Sequence, residues 1–288
     1  MTKLLGVLGA SENRKEGVHS GTSTANRSSQ QRNPSKSKGS VSSSARKQDL
    51  AVRRPFAVFD IDGTLIRWQL YHAVVDELGH KGLINQKAYA DIKQARLIWK
   101  RREHQEAFPQ YEKQIIKSYD SVITNIGVKE FNNIVGRVFE EYKDQVYTYT
   151  RELIKELKAK SYVLLAISGS PKEAVGLIAK HYGFDDYIGS TYHRKGNRFT
   201  GEKIVAAVNK KAELNKLIAK HKLDLTDSVA VGDSESDIPL LEMVEQPIAF
   251  NPTVQLYKKA RDNGWQIVVE RKNVVYDLKE SNGKYILA

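Results

Sequence analysis

The sequence of 288 residues contains no cysteine. That absence excludes disulfides, iron–sulfur clusters, zinc-thiolate sites and thiol nucleophiles, so catalysis has to run on carboxylates, hydroxyls, amines or imidazoles. Long apolar runs are missing too. The apolar N-terminal piece, Leu4 to Ala10, is seven residues long, against the roughly eighteen a membrane helix needs, so a soluble, cytoplasmic chain without a membrane span is expected. Acid is scarce in one place only: residues 1–54 hold eleven Lys/Arg and three Asp/Glu, whereas the other 234 hold 35 and 31, which puts most of the net charge of +12 at the N-terminus.

That basic segment also lacks anything to build a core with. From Ser11 to Ser44 it has eleven serines and no periodic apolar set, too little burial to offset about 1–2 kcal/mol of backbone entropy per residue. Residues 1–54 are expected to be a disordered tail. It reads as a solvated extension, a Ser/Arg-rich targeting peptide, or an electrostatic arm for nucleic acid or an anionic surface. Nucleic acid is not expected as a partner except through this arm, because the body is nearly balanced in charge.

The body opens with Phe56-Ala57-Val58-Phe59, an apolar run suited to a buried parallel strand, and ends it on Asp60-Ile61-Asp62-Gly63-Thr64. The two-residue period of a strand puts Asp60 and Asp62 on one side of its carboxyl end, where open α/β sheets place their ligand crevice. Two more apolar runs stop in the same way: Tyr162 to Ile167 on Ser168-Gly169-Ser170, and Ser228 to Val231 on Gly232-Asp233-Ser234-Glu235-Ser236-Asp237. Helical patterns follow each, another spans Lys211 to His221, and Tyr187 to Tyr192 is a further strand candidate. Alternating strands and helices predict a doubly wound parallel sheet with a Rossmann-like topology.

About a hundred residues separate the first two strands. Within them apolar residues recur at helical spacing: Leu70, Val74, Val75 and Leu78, then Tyr89, Ile92, Ala95 and Leu97, then Tyr111, Ile115, Ile116 and Tyr119, then Phe131, Ile134, Val135 and Val138. The predicted organisation is an α/β core at 55–66 and 147–270, a helical cap inserted at 67–146, and a C-terminal hairpin at 271–288 turning at Asn282-Gly283. Thr148 or Thr150 is expected to cap the helix that returns to the sheet, and Ser170 to cap the one after the second strand.

Asp60, Asp62, Asp233 and Asp237 make an oxygen-rich set suited to a hard cation such as Mg²⁺. The four strand-exit and helix motifs, in this order, resemble those of the haloacid dehalogenase superfamily, and most closely its phosphoserine-phosphatase-like branch, subfamily IB, over about residues 55–270. The resemblance implies a Mg²⁺-dependent phosphomonoesterase acting on a small phosphorylated metabolite. It makes Asp60 the nucleophile that forms an aspartyl-phosphate and Asp62 the acid/base. It further assigns Ser168 and the Gly169 amide to a phosphate oxygen, Lys211 to charge neutralisation, Asp60, Asp233 and the Asp62 carbonyl to Mg²⁺, and Asp237 to orienting Lys211 or metal waters, with Gly63 and Thr64 in support. Two positions depart from the pattern. Gln69 stands where that branch has the Glu that pairs with the phosphoserine ammonium, and Ser236 stands where the family usually has Asn. The cations and ring of Trp99 to His104 read either as an exposed helix surface or as groups near the cap's mouth, where they would favour an anionic substrate. A phosphotransferase using the same intermediate, or a nucleic-acid-binding protein acting through the tail, is the alternative.

Overall fold

The computed structural model describes residues 54–272 and 274–287; apart from Arg54, the expected tail at 1–54 lies outside them. The first strand, β1 (Phe56–Phe59), is followed by helices α1 (Leu70–His80), α2 (Gln86–Arg101), α3 (Ala107–Ile123), α4 (Val128–Tyr142) and α5 (Thr148–Ala159). Then come β2 (Val163–Pro171), α6 (Lys172–Tyr182), the strands β3 (Asp186–Lys195) and β4 (Arg198–Ile204), α7 (Lys210–His221), β5 (Val229–Gly232) and the short α8 (Ile238–Leu241). The chain ends with β6 (Gln246–Phe250), α9 (Val254–Asp262), β7 (Gln266–Arg271), β8 (Val274–Ser281) and β9 (Lys284–Leu287).

The strands form one sheet in the order β4-β3-β2-β1-β5-β6-β7-β8-β9. Its central pairs are parallel, and β4, β8 and β9 extend the two edges antiparallel. β1 lies centrally, with β2 on one side and β5 on the other. It is buried on both faces: Ala57 and Phe59 join one apolar cluster, Phe56 and Val58 the other, which is why its sequence is uninterrupted rather than alternating. Because the chain leaves β1 to build outward on both sides, the carboxyl ends of β1, β2 and β5 open on a topological switch point.

α1 to α4 lie between β1 and α5, and the chain enters and leaves them side by side. Ile66 bridges Val146, Arg67 N–H donates to the Gln145 carbonyl at 2.8 Å, and Tyr147 N–H donates to Leu65 at 3.0 Å. Glu270 on β7 closes this junction. Its Oε1 lies 2.5 Å from Arg67 Nη2 and accepts from Thr148 N–H at 3.1 Å, while Oε2 accepts from Tyr149 N–H at 2.8 Å. An acid brought from the far end of the chain thus caps α5, and neither expected threonine does so. Thr150 Oγ1 donates instead to the Thr64 carbonyl at 2.9 Å, tying α5 to the loop after β1.

The inserted helices show the apolar spacing expected of amphipathic helices, with Tyr111, Ile115 and Tyr119 of α3 fully buried. Leu97 and Ile116 are exposed. Among the described residues no helix is long and apolar enough to cross a membrane.

Candidate active site

Asp60 and Asp62 follow β1 and are both buried. The Asp60 amide donates to the Val231 carbonyl of β5 at 2.9 Å, so the β1–β5 pairing carries on to the residue that bears the first carboxylate. The turn after it needs Gly63: its φ is +81°, and a Cβ there would stand 2.4 Å from Asp233 Oδ2. Thr64 Oγ1 donates to Asp233 Oδ1 at 3.3 Å.

The second acidic group is organised from within. After β5, Ser234 and Asp237 form a reciprocal cap: Asp237 Oδ2 accepts from the amides of Asp233 at 3.1 Å and Ser234 at 3.0 Å, and from Ser234 Oγ at 2.9 Å. That leaves Asp237 Oδ1 to accept from Lys210 Nζ at 2.6 Å. The same ammonium donates to Asp60 Oδ1 at 2.6 Å. Lys210 is 2% exposed, whereas its neighbour Lys211, the expected catalytic lysine, is exposed. The physical reason is register. Asn209 caps α7 by accepting from Ala212 N–H, and Lys210 shares the buried face with Leu214 and Leu217, one and two turns on, so Lys211 is turned outward. Asp237 therefore orients Lys210, not Lys211.

Asp62 is held apart from this cluster. Its Oδ1 accepts from Leu70 N–H, the first amide of α1, at 2.5 Å, and its Oδ2 from Ser168 Oγ at 2.5 Å. Ser168 Oγ in turn accepts from Ser170 N–H at 2.9 Å. The fully buried Ser168 hydroxyl is thus committed to Asp62 rather than offered to a phosphate, while Gly169 lines the cavity beside Asp60. Ser170 does not cap α6 either: its Oγ accepts from Tyr71 N–H at 3.0 Å and ties α1 to the end of β2.

Oxygens of Asp60, Asp233 and Asp237 lie within 4.8 Å of one another, and one ammonium, Lys210, faces them. Burial pushes the Asp60 carboxyl up to about 7 against the pull of Lys210, with Asp237 and Asp62 adding to the rise. Burial, followed by the charges of Asp60 and Asp237, also holds Asp233 well above the usual carboxylate range. Burial works against the Lys210 ammonium, but Asp237 and Asp60 hold it firmly charged. Asp62 is raised by burial, partly offset by the Ser168 and Leu70 hydrogen bonds. Crowded, desolvated carboxylates with too little positive charge fit a hard divalent cation, and the donor set is all oxygen.

Asp237 lies buried behind Asp60, Asp62, Asp233 and Lys210, which line a cavity of about 210 Å³. Its walls come from elements the motifs do not mark: Tyr71 and His72 of α1, Phe108, Glu112 and Ile116 of α3, and Tyr192 of β3. Gln69, Ser234 and Ser236 also line it. Trp99 does not: it stacks on Tyr111 at 5.3 Å and lies 6.2 Å from Trp68, and Lys100 sits over the Trp68 ring. The basic segment Trp99 to His104 is not among the lining residues.

A model of the haloacid dehalogenase-like hydrolase family matches residues 57–242, well over half the chain. The chain belongs to this family. A phosphoserine phosphatase of Mycobacterium tuberculosis (strain H37Rv) is 31% identical over 43% of the chain and 41% of its own length, so the match spans about two-fifths of such relatives. A histidinol-phosphatase of Neisseria meningitidis serogroup C (strain 8013) is 25% identical over 74% of the chain and 97% of its own length. A solved phosphoserine phosphatase, described as a phospho-aspartyl intermediate analogue, superposes with a TM-score of 0.53 at 22% identity, covering 77% of this chain and 95% of that one. At that identity the likeness shows the shared fold of the haloacid dehalogenase-like family.

Proposed function

We propose that the protein is a Mg²⁺-dependent phosphomonoesterase that works through an aspartyl-phosphate on Asp60. The observation that carries this reading is the cluster of Asp60, Asp233 and Asp237 with Lys210 paired to Asp60 and Asp237, where Asp60, Asp233 and Lys210 line the cavity and Asp237 backs them from the interior. Asp60, Asp233, and the main chain of Asp62 would hold the ion, with Asp237 beside them. When bound, Mg²⁺ supplies positive charge to the phosphoryl oxygens and keeps Asp60 ionised.

Lys210 holds Asp60 Oδ1 and so aims the carboxylate. An Asp60 oxygen forms a bond to phosphorus as the ester P–O bond breaks. Asp62, whose raised pKa suits a group that starts protonated, gives its proton to the leaving alkoxide. Water then attacks the aspartyl-phosphate, returning a proton to Asp62 as inorganic phosphate leaves. Ser168 keeps the Asp62 carboxyl in place through this cycle, and Gly169 at the cavity wall offers its backbone to a phosphate oxygen. Catalysis on this reading is positioning plus charge stabilisation of a loose transition state. The fold shared with phosphatases and the similarity to two of them support it. The test is hydrolysis of an aryl phosphate by the purified chain with Mg²⁺ and with EDTA: metal-dependent phosphate release is expected, and its absence rejects the reading.

A further inference from the structure

Beyond the catalytic carboxylates and Lys210, two charged side chains line the cavity, Glu112 and Lys203. They differ in what they already hold. Lys203 Nζ lies 2.7 and 2.6 Å from the two carboxylate oxygens of Asp120, one turn of α3 before its end, so its charge is matched within the protein. Glu112 makes no ion pair or hydrogen bond with any described residue, and it sits where the cavity meets solvent. Burial among its neighbours raises its carboxyl above the usual range. Its position is set by helical spacing, because Phe108, Glu112 and Ile116 stand four residues apart and present one stripe of α3 to the cavity.

Four aromatic rings share this wall: Tyr71, His72, Phe108 and Tyr192. Tyr71 and Tyr192 both pack on Tyr119, at 5.0 and 5.1 Å, and Phe108 lies 6.3 Å from His72. Aromatic rings beside an unmatched carboxylate suit a cation better than a second anion. A further polar group is uncommitted: His72 is 1% exposed, its Nδ1 is buried without a hydrogen-bond partner, and burial followed by the charge of Arg96 lowers its pKa to about 3, so the ring is neutral. A neutral imidazole in the wall adds no positive charge that would oppose an ammonium. The basic segment Trp99 to His104, whose cations would favour an anionic substrate, lies outside this wall.

We propose that the alcohol half of the substrate carries a cationic nitrogen, held by Glu112 among Tyr71, Phe108 and Tyr192, and no carboxylate. This inference rests on the phosphomonoesterase reading and makes the substrate an amine-bearing phosphate ester. The selecting carboxylate comes from α3 of the insertion, not from Gln69 at the start of α1.

The test compares O-phosphoethanolamine, propyl phosphate, in which methyl replaces the ammonium, and O-phosphoserine, with the full chain and Mg²⁺. The expected kcat/KM ratio of phosphoethanolamine to propyl phosphate is about tenfold or more, equivalent to about 1.4 kcal/mol, and Glu112→Gln, at a solvent-facing position, should reduce that ratio to below about threefold. A wild-type ratio near one, or a ratio retained in the variant, overturns the inference. Phosphoserine turned over more than about tenfold better than phosphoethanolamine overturns the exclusion of carboxylates and gives that role to Lys203. Calorimetric titration of the same esters into Asp60→Asn reads binding without turnover. Tighter binding of the amine with no hydrolysis by the wild type keeps the inference and rejects the phosphatase reading; equal binding with hydrolysis rejects the inference alone, and equal binding without hydrolysis rejects both.

Discussion

Replacing Lys210 by methionine tests the electrostatic centre of the site directly. Its ammonium lies 2.6 Å from both Asp60 Oδ1 and Asp237 Oδ1, with the Lys210 side chain 2% exposed and those of the two acids 6% and 0%. Methionine fills similar space but leaves the buried carboxylates of Asp60 and Asp237 and the half-buried one of Asp233 clustered with no cation. Removing one partner of a buried ion pair costs about 3–5 kcal/mol. For a folded unit of this size each kcal/mol corresponds to roughly 2–4 °C, so Tm in EDTA should fall by about 6–20 °C. The adjacent Lys211→Met, at an exposed position, should change stability by less than about 0.5 kcal/mol. Excess Mg²⁺ should restore part of the Lys210→Met loss, because the ion supplies the missing positive charge. Circular dichroism melts of both variants, with and without Mg²⁺, read all of this. Equal shifts for the two lysines would refute the reasoning.

Three other perturbations follow from the same geometry. His72 has its pKa lowered from the ordinary 6.5 to about 3, by burial first and then by Arg96. The unfolded chain therefore takes up the proton first as pH falls below 6.5, and stability drops by about 2 kcal/mol between pH 7.5 and 5 at 1.36 kcal/mol per unit. Urea denaturation of His72→Phe across that range should show a correspondingly flatter profile; an unchanged slope counts against a neutral buried imidazole. Glu270→Gln removes the charge that holds Arg67 and the first amides of α5, and urea unfolding should report a loss of about 2 kcal/mol, while a neutral result would mean the junction is held by its backbone pairing alone. Gly63→Ala places a methyl 2.4 Å from Asp233 Oδ2 at a φ of +81°; the Mg²⁺ concentration for half-maximal activity should rise about tenfold or more, and an unchanged Mg²⁺ titration would remove Asp233 from the metal set.

Much of the core was legible because burial on both faces leaves a direct mark. Phe56 to Phe59 and Val163 to Ile167 are uninterrupted apolar runs, and each ends on polar residues that the parallel register brings to the same edge of the sheet. Asp60, Asp62, Asp233 and Asp237 are visible for that reason. Lys210 was harder because two lysines adjoin; the decisive signal was its four- and seven-residue spacing to Leu214 and Leu217, which puts it on the buried face. Ser168 and Thr150 have the right type for the parts expected of them, but a hydroxyl can serve any nearby partner. Their actual partners, Asp62 and the Thr64 carbonyl, come from 106 and 86 residues away. β4 left almost no pattern, since Phe199 alone of its residues is buried. Glu112 is an ordinary exposed acid on a helix until tertiary packing turns its stripe toward the cavity, so neither composition nor spacing marks it.

The most direct measurement of the central claim is mass spectrometry of the chain acid-quenched during turnover of an aryl phosphate. One phosphoryl group on the peptide containing Asp60, present with Mg²⁺ and lost with EDTA or in Asp60→Asn, is the predicted result. A phosphoryl group on a different residue, or hydrolysis that leaves every quenched peptide unmodified, would contradict the account.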